Sequence, residues 1–153
     1  METQATDRSK QQTSHEFYKK LFKLTIGGGV AFWATTVAFS LTPMMAEFRA
    51  ALSMSYVLYA LVEPLLGGMI ISCGLSYFLL RFFDKILTKN PILKSVILSF
   101  VALGIVFILL GVAASRTSDA VHIFLIGVVF NVPRFLILGI VIGYLYKRLD
   151  GSA

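Results

Sequence analysis

Four long apolar runs, separated by short polar breaks, dominate the pattern along the chain. The runs cover about residues 24–45, 50–83, 92–114 and 120–146. None alternates apolar with polar positions over the ten or so residues of a barrel strand. In lipid the backbone must satisfy its own hydrogen bonds, so apolar runs of this length are expected to be helices. A span needs about 20 apolar residues to cross a ~30 Å hydrocarbon core. The prediction is an all-α, polytopic integral membrane protein. Its four transmembrane helices form two tandem helical hairpins within residues 24–149, and lipid is the principal surrounding partner.

The breaks carry turn chemistry. Thr42-Pro43 closes the first run, because the residue before proline disfavours helical geometry. Asn90-Pro91 punctuates the central turn, and residues 115–119 form the last connection. The second run is too long for a straight span: as one helix it would reach ~50 Å. It is therefore expected to tilt, to kink near Pro64, or to project from one face. Residues 1–12 are polar and aperiodic and are expected to be a disordered tail. Thr13 and Glu16 fit a capping box. Residues 13–23 then mix Phe17, Leu21 and Leu24 on one face with Lys19, Lys20 and Lys23 elsewhere. Two readings stand: a basic helix lying in the interface, or a basic extension of the first span. Residues 150–153 form a C-terminal tail.

Composition agrees with lipid as solvent. Of 153 residues, 57% are hydrophobic and 14% charged, against about a quarter charged in soluble domains. The net charge of +6 raises the question of nucleic acid. Placement answers it, since the cations flank apolar runs, where they would meet anionic lipid headgroups. Eleven of the 14 basic residues fall before the first run, around the central turn or after the last run; only Arg49 and Arg116 lie in the other two connections. The positive-inside rule then predicts a cell-membrane protein with both termini and the central turn cytoplasmic.

Small residues recur at four-residue spacing: Gly68, Ser72 and Ser76 in the second run, Gly139 and Gly143 in the fourth. Such rows let helix backbones approach, within one bundle or between protomers. Aligning Pro64 with Pro133 also matches Ile71 with Ile140, Gly74 with Gly143 and Tyr77 with Tyr146, so a parallel repeat of two hairpins and chance convergence both fit.

Two charges stand inside the runs, Glu63 and Arg134, each beside a proline. A lone charge at bilayer depth is costly, so such residues pair or line wet cavities. Counting from the cytoplasmic ends of their spans puts Glu63 ~27 Å and Arg134 ~20 Å above that face. The difference is within reach of two long side chains. An intramembrane ion pair is expected, with Asn131 completing its hydrogen bonding and Pro64 and Pro133 kinking the helices. The pair would act either as a coupling site or as a register device.

No catalytic constellation, metal motif or cofactor motif occurs. Cys73 stands alone in an apolar run. His15 and His122 fall on opposite sides of the predicted membrane. An enzyme is therefore not expected. Two functional classes remain ahead of it: a non-enzymatic membrane module forming a homo-oligomer or joining a larger membrane complex, and a small transporter or channel using the Glu63–Arg134 pair.

Overall fold

The computed structural model describes residues 11, 13–85 and 88–151 in full, and the backbone alone of 2–10 and 12. Among these residues every element is helical: α1 (Glu2–Ser40), α2 (Pro43–Ala51), α3 (Leu58–Arg81), a 3-10 turn (Phe83–Lys85), α4 (Pro91–Ala114) and α5 (Ala120–Gly151). Four of them, α1, α3, α4 and α5, are long and apolar enough to cross a bilayer. Antiparallel contacts link α1 to α3, α1 to α5, and α4 to α5. α3 and α4 touch only sparsely and leave a seam.

The termini of these helices follow local chemistry. Asn90 caps α4, its side-chain oxygen accepting from the Ile92 N–H at 3.0 Å, with Pro91 at the first helical position. The first apolar run ends earlier than expected, at Ser40 rather than 45. Pro43 does not only stop one helix; it also starts the next, because its fixed φ and missing N–H suit a first turn.

The expected single second run over 50–83 is divided. Residues 50–51 belong to α2, and a turn follows with Ser53 at φ 53°. The spanning helix starts only afterwards. Its first ten residues, Leu58–Gly67, are π-helical around Pro64. Proline removes one N–H, and its ring crowds the carbonyl four residues back, here Ala60. A wider turn with i→i+5 bonds moves that carbonyl away. α5, by contrast, is α-helical across Pro133.

No separate interfacial helix forms over 13–23. α1 is one helix from Glu2, which also replaces the expected disorder of 2–12 by helical backbone. Nothing between Thr13 and Ile26 breaks a helix, and two contacts hold this stretch beside the bundle. The Phe17 ring meets Tyr77 edge-on at 6.1 Å, and Lys20 pairs with Asp150 at 3.5 Å. α5 likewise continues to Gly151, into the expected tail, while residues 152–153 lie outside the described set.

Close packing is set by small residues. A Cβ on Gly143 would meet the Cα of Ile92 at 2.5 Å, and one on Gly139 the Cα of Val96 at 2.8 Å. A Cβ on Gly28 would collide with Ser72 Oγ, and one on Gly68 would meet the Phe32 ring at 2.9 Å. Both predicted rows are thus used between helices of the same chain. Ser72 donates to the Leu24 carbonyl at 3.3 Å, and Ser76 is fully buried.

Two buried apolar clusters result. One holds Met45, Phe48, Tyr59, Leu110, Ile126 and Phe130; the other holds Phe32, Leu75, Leu79, Leu103, Leu138 and Ile142. Many other large apolar side chains, among them Ile70, Val101, Ile108 and Val121, are exposed on the bundle's outside. Soluble proteins rarely expose so much contiguous apolar surface.

The packing makes a contrast testable. Gly143→Ala should lower stability by about 1–3 kcal/mol, the usual cost of overpacking. Gly104→Ala, at a position where a Cβ meets nothing within 4 Å, should be neutral. Thermal unfolding in detergent reads both; equal effects would show that α4 and α5 are not in backbone contact at Gly143.

Candidate functional site

The site begins with an arginine that has nowhere else to go. Arg134 sits in the middle of α5 with 3% of its side chain exposed. Its guanidinium keeps its charge at any ordinary pH, so the fold must supply a counter-charge and acceptors. Nη2 donates to Glu63 Oε2 at 3.3 Å. Nη1 donates to Asn131 Oδ1 at 3.1 Å. Asn131 is itself oriented by donating to the Gly127 carbonyl at 2.8 Å, one turn back along α5. The guanidinium carbon lies over the Phe32 ring, 4.2 Å from its centroid, a cation–π contact contributed by α1. Nε has no hydrogen-bond partner among the described residues.

Glu63, Arg134 and Asn131 are therefore brought together, and three helices converge on the same guanidinium. Pro64 follows Glu63 within the π-helical stretch, and Pro133 precedes Arg134. A π-turn places more residues per turn than an α-turn and shifts the side-chain register around it. Such segments occur mostly as single turns, often at functional sites. Here ten residues adopt this geometry, with Glu63 among them.

The pair lies between the two apolar clusters. Phe130 of one and Phe135 of the other flank it along α5. Both side chains of the pair also line a cavity of about 340 Å³, with Met45, Phe48, Val106, Leu110 and Phe130. Tyr59, one turn before Glu63, lines the same space. This cavity shares Leu52, Met54, Leu109 and Ala113 with a second one of about 550 Å³. Arg116 and Thr117, in the connection between α4 and α5, line that second cavity. The two cavities thus share a wall between the connection end of the bundle and Arg134.

Charges cluster at that same end. Glu47 and His122 are 3.0 Å apart, both half exposed, and Arg49 lies over the Tyr56 ring at 5.0 Å. At the opposite, basic end, Lys94 departs from its expected place among headgroup-facing cations. It is 3% exposed, its amine donates to the Phe83 carbonyl, and it sits 3.5 Å from the centre of the Phe83 ring. Tyr146 stacks on the same ring at 4.9 Å. Lys94 thus locks the turn after α3 onto α4.

Sequence reasoning missed Phe32, Tyr59 and Lys94. The i, i+4 spacing of Tyr59 and Glu63 is a signal that could have found the tyrosine. Nothing local marks Phe32, which arrives from another helix.

The pair predicts an asymmetric mutational pattern. Glu63→Gln leaves the charge of Arg134, 3% exposed, without its counter-ion, whereas Arg134→Gln leaves a carboxylate that is 40% exposed. Glu63→Gln should cost more stability, and the double variant should be milder than the sum of the two by about 0.5–3 kcal/mol. Additive effects in thermal unfolding would show that the two side chains do not interact.

Comparison with protein-family models, with curated proteins and with solved structures finds no match to this chain.

Proposed function

We propose that this chain is a non-enzymatic, multi-pass protein of the cell membrane whose working part is a transport-type site. The cavity at the Glu63–Arg134 pair, and the one beside it at the connection end, would form the entry from the exterior. The basic end of the bundle, with both termini, lies in the cytoplasm. One observation carries this reading: the Glu63–Arg134 pair lines a cavity that shares a wall with a second cavity at the connection end of the bundle. Intramembrane charges that line a cavity are the usual mark of a substrate or ion pathway. The sidedness rests on the distribution of Lys and Arg.

Purified protein in liposomes should carry a flux of protons or small ions that is abolished in Arg134→Gln under conditions where that variant remains folded. Undiminished flux in the variant would overturn the transport reading. Sidedness has its own test. In a Cys73→Ser background, a cysteine introduced at Ser118 should react with a membrane-impermeant maleimide added to intact cells, and one at Thr88 should not. The reverse labelling would invert the topology.

A second reading, a module that self-associates or joins a larger complex, is favoured by a different observation. Gly104 on α4 faces open space, although the predicted small-residue rows are used inside the chain. A helix from another protomer or from a partner can approach closely there. A native complex larger than one chain after mild detergent extraction, lost on Gly104→Leu, would support this reading.

A further inference from the structure

We infer that the cavity at Arg134 binds the oxyanionic head of an amphiphile, phosphate being the head chemistry that fits it best, with the apolar chain lying in the seam between α3 and α4. The inference rests on the reading of Glu63–Arg134 as the working site, and it adds what that site would hold.

The head site follows from unfilled donors. Arg134 presents five N–H groups in a fixed fork. Glu63 and Asn131 accept one each from the two Nη atoms, and Nε is buried without an acceptor among the described residues. Leaving such a donor unpaired in a low-dielectric interior is costly. A phosphate or carboxylate supplies several acceptors in the geometry a guanidinium recognises best. Glu63 contacts through one oxygen only and is 40% exposed, so its hold is one that an incoming anion can displace.

The tail site follows from continuity. The cavity at Arg134 shares Val106 and Leu109 with an apolar groove of about 440 Å³ between α3 and α4. Ile71, Phe78, Leu98 and Ile105 are among its walls. Gly74 also lines it, and a Cβ there would meet nothing within 4 Å. A pocket that holds a guanidinium with unfilled donors and borders an apolar trough matches a molecule with an anionic head and a hydrocarbon chain. A free inorganic anion would leave the trough unexplained.

The probes are phosphatidic acid, phosphatidylcholine and inorganic phosphate, added to delipidated protein and read by native mass spectrometry. Phosphatidic acid should bind with a stoichiometry near one, and phosphatidylcholine at least tenfold more weakly. Millimolar inorganic phosphate should not displace the lipid. Glu63→Gln, which removes the competing carboxylate, should bind phosphatidic acid more tightly; Arg134→Gln should bind it at least tenfold more weakly. Gly74→Leu fills the trough without touching the pair and should also weaken binding, which keeps the test valid if Arg134→Gln does not fold. Equal binding in native, Arg134→Gln and Gly74→Leu proteins would overturn the inference in favour of lipid held by surface lysines. Full displacement by inorganic phosphate would overturn the amphiphile and leave a free-anion site. Lipid binding without flux would contradict the transport reading alone, and flux without lipid binding would contradict this inference alone.

Discussion

A guanidinium cannot give up its proton, and this one is buried in the middle of an apolar bundle. Much of the architecture answers that constraint. Glu63 must stand at matching depth on a neighbouring helix, Asn131 must fill a second donor, and an aromatic face must lie beneath the charge. Three helices contribute, so the polar layer ties α1, α3 and α5 together between two apolar clusters. Buried ion pairs are not dependable sources of net stability, because desolvation opposes their attraction. Retaining one here makes sense where position and charge matter more than stability.

Small residues make that convergence geometrically available. Gly28 and Gly68 bring α1 against α3, Gly28 also brings α1 against α5 at Ile142, where Phe32 meets Arg134, and Gly139 and Gly143 press α5 onto α4. The close contacts are spent on three helix pairs, and the fourth, α3 with α4, stays open. The apolar trough lies along that open seam, and the cavity at Arg134 borders it through Val106 and Leu109. The π-helical turns around Pro64 sit at its edge and set the direction from which Glu63 approaches.

Much of this was legible in the sequence. Run length located four long helices, and Asn90-Pro91 and the break at 115–119 located two of their boundaries. Counting residues from the basic end places Glu63 and Arg134 within reach of each other. What was not legible depends on relations between helices or on hydrogen-bond register. A uniformly apolar run looks the same whether its bonds are i→i+4 or i→i+5, so the π-helical stretch was invisible and only the proline hinted at it. Pro43 signals both the end of one helix and the start of another, which hid α2. Lys94 resembles any cation beside a membrane end until the Phe83 carbonyl folds over it. The cavity is made by a distance between α3 and α4, and no residue spacing within either helix encodes that distance.

The claim that the bundle is organised around a matched pair of opposite charges is tested most directly by exchanging them. Each reversal alone, Glu63→Arg or Arg134→Glu, places like charges together in an apolar interior, and the account predicts loss of monodisperse, folded protein. The exchanged double variant should recover a cooperative thermal transition in the same detergent. If it behaves no better than the worse of the two single reversals, the contact between Glu63 and Arg134 is not what holds these helices in register.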